Sequence, residues 1–299
     1  ESVPTLLPLD NQSDPKRAEQ QLQSALKTSS YSAVIVIGTE SADRVAALCE
    51  VKKLPLFAWS SDPEISRGRE FLMRTRPSHL QESQAIAQEV IRRGYSNIVL
   101  VANTSKFDQE RMRALKAHFF GDSRISVTTH HVSANAPDLA NLFDPSMRSK
   151  RIGIGIFLLP GQLAALSLSA KQLNQQADYF ASIEGYNREE LRASQFLLDG
   201  IWMITRKVAS DFRKLYVNRF HDGSALSVAA THYVLTNDLV RNLELGKKNS
   251  DILSSLRIAD PRRSVLEEHA YVRSGGDQHL DSDLTVIQAR NGKFEWPDL

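Results

Sequence analysis

The residues of this 299-residue chain best suited to chemistry stand in three short loops, each behind an apolar run. Gly38-Thr39-Glu40-Ser41 leaves one run and opens a helical pattern, so backbone N–H groups and the Ser41 hydroxyl can face an anion with the helix dipole behind them. The same residues also suit a plain helix cap, with Ser41 as the capping residue of a helix through Val51. Ser60-Ser61-Asp62 offers a second set of hydroxyl and amide donors, or simply a turn. Glu184 follows the apolar run Tyr179 to Ile183 directly, a place where an unpaired carboxylate is costly. A ligand ammonium group is one partner that would satisfy it.

Other chemistries find less support. The chain has no G-x-G-x-x-G, P-loop, G-x-S-x-G or H-E-x-x-H pattern, and no cofactor fingerprint. Gly153-Ile-Gly155 sits inside an apolar strand and opens no helix, which points to close backbone packing instead of a phosphate cradle. His130 and His131 are adjacent in a strand pattern, so their side chains face opposite ways and cannot share a metal. The single cysteine, Cys49, excludes an internal disulfide and reads as a buried helix residue. The carboxylates Glu189, Glu190, Glu267 and Glu268 read as solvated helix faces.

The elements that must carry these loops alternate between short runs rich in Val, Ile and Leu and helical patterns of ten to eighteen residues, the signature of an α/β protein with parallel sheets. A helix begins at Asp14-Pro15, a buried strand spans Ser32 to Gly38, and further strands are expected at Leu54 to Trp59, Asn97 to Ala102, Ile125 to Val132, Arg151 to Leu159 and Tyr179 to Ile183. Helices are expected at Gln84 to Arg93, Gln109 to Phe120, Leu139 to Arg148 and Gln162 to Ala177. From about Thr205 long helical patterns dominate, at Ser210 to Phe220, Ala225 to Glu244 and Ser250 to Ile258. A polar, Gly-rich stretch, Arg273 to Asp283, then precedes a hairpin whose turn is Asn291-Gly292. In open sheets of this kind ligands sit at the carboxyl ends of the strands, where all three loops fall.

Length points to two domains. Apolar residues at 41% and charged residues at 24% are the make-up of a water-soluble globular protein. The 37 basic side chains against 35 acidic ones are scattered, which argues against a nucleic-acid face. No apolar run reaches the ~20 residues that span a bilayer, and no signal-peptide pattern opens the chain. That leaves a cytosolic protein or the mature or trimmed form of an exported one.

Taken in order, these features resemble the type 1 periplasmic binding proteins for leucine, isoleucine and valine. Asp10-Asn-Gln-Ser-Asp-Pro15 with Ala18 is similar to the family's second strand and helix, and Val36-Ile-Gly38 followed by Ser41 to its strand, glycine and ligand-binding serine. Ser60-Ser61-Asp-Pro63-Glu64 resembles the loop that holds the ligand carboxylate, and Phe71-Leu-Met-Arg74 through Pro77 the first crossing between lobes. Phe107 falls where the family has a tyrosine near the ligand, Glu184-Gly185 at its acidic residue for the ammonium group, and Gly200 before the second crossing. The chain departs from the pattern at Asp108, where the family has glycine, at Leu158-Leu159 and at Ser182-Ile183. No counterpart of the family's first strand and helix precedes Glu1, and the expectation is a trimmed, processed or divergent amino terminus.

The resemblance implies two Rossmann-like lobes with parallel sheets joined by three crossings, near Pro77 to Gln81, Thr205 to Ala209 and Glu268 to Arg273. Lobe one would comprise residues 1–79 and 206–270, and lobe two residues 80–205 and 271–299. It further implies an extracytoplasmic, non-enzymatic solute-binding protein without cofactor or metal, in the periplasm or outside the cell. Ser41, Ser60 and Ser61 would hold a carboxylate, Phe107 would lie near the ligand, and Glu184 would hold an ammonium. Contact with both lobes would draw them shut, and the partner would be an ABC transporter. The alternatives are the sensor ectodomain of a membrane receptor and a cytosolic ligand-sensing regulator.

Overall fold

A computed structural model describes residues 5–132, 152–158, 177–182, 197–221, 225–257, 265–291 and 293–296, with single positions at 167, 171, 191, 193, 194 and 223. The chain divides into two compact units: Glu1–Ser78, Lys207–Ala209 and Val228–Asp283 form unit 1, and His79–Arg206, Ser210–Ser227 and Leu284–Leu299 form unit 2. The expected helices at Leu139 to Arg148 and Gln162 to Ala177 fall largely outside the described residues, as do Glu189 and Glu190.

Unit 1 opens with helix α1 (Pro15–Thr28), started by Pro15 at its first position and by the Asp14 carboxylate, which accepts from the Lys16 and Arg17 N–H groups. Strand β1 (Val34–Ile37), helix α2 (Thr39–Lys52), strand β2 (Leu56–Trp59) and strand β3 (Leu72–Arg74) follow. β1, β2 and β3 pair in parallel, with Ile37 opposite Trp59 and Ala58 opposite Arg74. Ala42, Val45, Ala46 and Cys49 recur at helical spacing on α2 and pack with Leu22 of α1 and with Leu56, Ala58 and Leu72 of the sheet. Each large apolar side chain fully buried there contributes roughly 1.5–3 kcal/mol.

Two sequence expectations change in this unit. Val34–Ile37 reads as a buried strand because both of its faces are apolar, yet β1 stands at the edge of the described sheet, and Ile37 is 68% exposed. The polar stretch Arg273 to Asp283, expected only to precede a hairpin, is itself largely strand. It belongs to an antiparallel hairpin of β9 (His269–Ser274) and β10 (Asp277–Ser282), turned at Gly275 and Gly276, both with positive φ. β10 then pairs in parallel with β3, giving the order β1-β2-β3-β10-β9. The passage out of unit 1 therefore falls at Asp283–Leu284 and not near Glu268 to Arg273.

Unit 2 carries helix α3 (His79–Arg92), β4 (Asn97–Asn103), helix α4 (Lys106–His118), β5 (Ser126–Val132), β6 (Ile152–Phe157), β7 (Ala177–Ala181) and β8 (Trp202–Arg206). With β11 (Leu284–Arg290) and β12 (Lys293–Glu295), the sheet order is β12-β11-β8-β7-β6-β4-β5. β5, β4, β6, β7 and β8 are parallel, and β11 and β12 add antiparallel strands through the expected turn at Asn291. Ile98, Leu100 and Ala102 alternate onto one face of β4 and meet Ile86 and Val90 of α3 and Met112 and Leu115 of α4. Helix α5 (Ser210–Phe220) belongs to unit 2, most of helix α6 (Leu226–Glu244) to unit 1, and helix α7 (Asn249–Arg257) to unit 1.

The Gly153–Gly155 alternation is packing, as its position inside a strand implied. A Cβ on Gly155 would lie 2.6 Å from Phe180 Cε2 and 2.7 Å from Leu100 Cδ2, while one on Gly153 would lie 3.1 Å from Tyr95. Phe180 is itself stacked on Trp202, centroids 4.9 Å apart, with the Arg93 guanidinium 4.9 Å over the Trp202 ring. Among the described residues no helix is long and apolar enough to cross a membrane.

Candidate functional site

At the carboxyl ends of β1 and β2 in unit 1, two loops are tied to each other. Gly38 takes φ +104°, a conformation that favours glycine, and its N–H donates to the Trp59 carbonyl at 3.2 Å. α2 then begins at Thr39, whose Oγ1 is 2.7 Å from Ser60 Oγ. The first intrahelical bond runs from Ala42 N–H to the Gly38 carbonyl, so the helix itself offers no acceptor to the N–H groups of Thr39, Glu40 and Ser41.

Ser41 does not cap its helix. The capping position is Gly38, without a side-chain cap bond, and Ser41 lies one turn inside. The Ser41 side chain is buried and its Oγ accepts from Asn11 Nδ2 at 2.9 Å, leaving its own O–H to donate. Ser60 Oγ likewise accepts from the Asp62 N–H at 3.2 Å, and the Thr39–Ser60 pair retains one further O–H. Ser61 is buried beside it. Asp62 turns its carboxylate to the Glu64 N–H at 2.9 Å, which starts the short helical turn Pro63–Ser66. The outcome is a set of O–H and N–H donors at the positive end of a helix dipole, which is the donor chemistry that receives a carboxylate. Immediately before Ser60, the ring of Trp59 lies 5.6 Å from that of His232 on α6, and His232 Nδ1 is 2.8 Å from the Val228 carbonyl.

Phe107 lies in unit 2, in the first turn of α4, just beyond the carboxyl end of β4. β4 sits between β5 and β6, where the strand order reverses, and such switch points are where open α/β sheets place ligands. The Arg111 guanidinium stands 4.8 Å over the Phe107 ring and ion-pairs with Glu82 of α3, so the ring is held on one side by a buried cation. α4 starts three residues earlier than its apolar pattern suggested, because Ser105 caps it: the Asp108 N–H donates to Ser105 Oγ at 3.1 Å, and Ser105 Oγ in turn donates to Asp108 Oδ2 at 2.7 Å. That bond explains an aspartate at position 108. Burial pushes the Asp108 carboxyl up, against the Ser105 bond and the Arg111 charge.

The structure thus gathers Ser41, Ser60 and Ser61 at one end of the unit 1 sheet and places Phe107 at the strand ends of unit 2. Glu184 lies outside the described residues; β7, which leads toward it, ends at Ala181. Thr39 and Asn11 join the site unforeseen as contacts. The repeated hydroxyls in Gly38–Ser41 were a signal for Thr39, whereas Asn11 reaches Ser41 across thirty residues with no local mark. His130 and His131 lie in regular strand β5, and Gln109 Nε2 is 2.7 Å from His131 Nδ1. Burial, and secondarily His131, depress the His130 pKa. Among the described residues no three His, Cys, Asp or Glu side chains gather as a metal site.

Two units of mostly parallel sheet, with the chain passing repeatedly between them, are the build of the type 1 periplasmic binding proteins, and solved structures of that class match almost the whole chain. An ABC transporter substrate-binding protein from Desulfitobacterium hafniense, solved in complex with Leu, shares 16% identity at a TM-score of 0.78, covering 98% of this chain and 88% of that one. A leucine binding protein from Thermotoga maritima shares 17% identity at a TM-score of 0.75 over 96% of this chain and 85% of its own. A solute binding protein of an ABC transporter from Rhodopseudomonas palustris, in complex with 3,4-dihydroxy benzoic acid, shares 12% at a TM-score of 0.70 over 96% and 82%. No curated protein matches by sequence. The chain belongs to the family described as the receptor family ligand binding region, whose model matches residues 4–241.

Proposed function

We propose that this chain is the solute-receiving part of an exported, non-enzymatic binding protein, periplasmic or extracellular, that takes up a small carboxylate, an amino acid or a related acid, and delivers it to an ABC transporter. The observation that carries the reading is the donor cluster of Thr39, Ser41, Ser60 and the first turn of α2, with its spare hydroxyl and amide hydrogens and no basic side chain within its two loops. A site of that kind favours one compact anion over a polyanion. Membership in a ligand-binding family, and the similar solved structures in complex with Leu and with 3,4-dihydroxy benzoic acid, support a small acid as the class. Ser61 completes the donor loop, Phe107 packs near the ligand, and Glu184 receives an ammonium group if the solute is an amino acid.

Titration calorimetry with L-leucine, L-isoleucine, L-valine and 3,4-dihydroxybenzoate tests this directly. Hydrogen bonds to a charged group contribute about 1.5–3 kcal/mol, so Ser41→Ala and Ser60→Ala should each weaken a bound acid by roughly ten-fold or more. Glu184→Ala should weaken amino acids and leave a simple aromatic acid unaffected. If neither serine substitution changes affinity, the site assignment is wrong; if no acid binds at all, the solute class is wrong.

A further inference from the structure

The Ser60–Ser61 loop is held by an ion pair behind it. Arg74, at the end of β3, has no solvent-exposed surface, and its Nε and Nη2 donate to the two oxygens of Asp277 at 2.9 and 2.6 Å. Its remaining terminal nitrogen, Nη1, donates to the Arg76 carbonyl at 2.6 Å and reaches the Ser60 carbonyl at 3.4 Å. At the other end of the loop, Ser66 Oγ donates to Asp277 Oδ1 at 2.6 Å and accepts from the Gln278 N–H at 3.0 Å. One ion pair, with its arginine fully buried, therefore touches both ends of the Ser60–Ser66 segment. The strand behind the segment is fixed as well, since the Ala58 carbonyl accepts from the N–H groups of Ser60 and Thr75 at 2.9 and 2.8 Å.

We propose that Arg74 is a positioning residue for the donor loop, with Asp277 orienting its guanidinium so that Ser60 and Ser61 present their hydroxyls at a fixed place. The geometry demands a planar fork: two donors are committed to Asp277 in bidentate fashion while a third reaches the loop. Lysine keeps the charge opposite Asp277 but is a single point donor and cannot do both. His279 Nδ1, 3.0 Å from Asp277 Oδ2, further fixes the carboxylate.

Because the proposal rests on the carboxylate reading of the loop, its first test uses no ligand. Hydrogen exchange by mass spectrometry is followed on the whole chain, as wild type, as Arg74→Lys, and as the charge-neutral combination of Arg74→Gln with Asp277→Asn, which leaves no isolated buried charge should the single change fail to fold. Exchange across Ser60–Ser66 should accelerate by about ten-fold or more while α1 and α2 stay at wild-type rates, as expected for a local opening. Unchanged exchange in that segment, or equal acceleration throughout unit 1, overturns the positioning role. Calorimetry with L-leucine and 3,4-dihydroxybenzoate then separates the two ideas. Whichever probe the wild type binds should bind Arg74→Lys about ten-fold more weakly, the loss expected from a misplaced donor; equal affinity overturns the proposal. If the wild type binds neither of these nor L-isoleucine or L-valine, the carboxylate reading fails, and the exchange result still decides the role of Arg74.

Discussion

Placing one methyl group on Gly155 should destabilise unit 2 measurably. Its Cβ would lie 2.6 and 2.7 Å from Cε2 and Cζ of Phe180 and 2.7 Å from Leu100 Cδ2, about 1 Å inside ordinary carbon contact. Relief is hard to find, because Phe180 and Leu100 are fully buried and Phe180 is stacked on Trp202. Overpacking of this kind costs about 1–3 kcal/mol. For a unit of this size that is a melting temperature lower by roughly 2–12 °C. Thermal unfolding followed by circular dichroism on wild type, Gly155→Ala and Gly153→Ala is the assay, with Gly153→Ala losing less because its nearest contact is 3.1 Å. Phe180→Leu added to Gly155→Ala should recover part of the loss by making room. A Gly155→Ala protein that melts within 1 °C of wild type would refute the packing argument and reopen the question of why two glycines alternate in β6.

Three further outcomes are expected. Burial alone would raise the Asp277 carboxyl, but bonds from His279, Arg74 and Ser66 and the Arg74 charge hold it well below the usual range. Its stabilising contribution is therefore complete above the ordinary aspartate value of about 4 and drains as pH falls below it; urea midpoints from pH 5 down to 2.5 should fall less steeply for Asp277→Asn than for wild type. Asp14→Ala removes the side-chain acceptor for two N–H groups at the start of α1 and should cost ~0.5–2 kcal/mol in urea unfolding. Burial, with a smaller push from Glu50, raises the Cys49 thiol to about 12, so a thiol reagent at pH 8 should react only after denaturant is added.

In unit 2, β4 and β6 were legible because Asn97 to Ala102 and Arg151 to Leu159 are almost wholly apolar runs, as strands covered on both faces must be, whereas β8 was not expected as a strand. β9 and β10 were not, since His269–Ser282 is largely polar and owes its pairing to the Gly275-Gly276 turn and to β3. β1 misled for the opposite reason: composition reports that a strand is apolar, not how many neighbours it has. At the site the serines could be nominated from their place behind strands. Their supports could not, because Ser60 meets Arg74 fourteen residues away and Arg74 meets Asp277 two hundred and three away. Phe107 was reached through family likeness, and the Arg111 cation over its ring is a tertiary fact.

The tryptophans give the protein a built-in optical probe. Trp202 is packed against Phe180 under Arg93, and Trp296 is buried with the Arg213 guanidinium 5.2 Å over its ring, so both surroundings are fixed and their emission supplies a steady background. Trp59 is half-buried, adjoins Ser60 and lies 5.6 Å from the His232 imidazole. A change in the Ser60 loop, whether from a solute or from a substitution behind it, therefore reaches the indole next to it in the chain, and binding can be followed on the unlabelled protein.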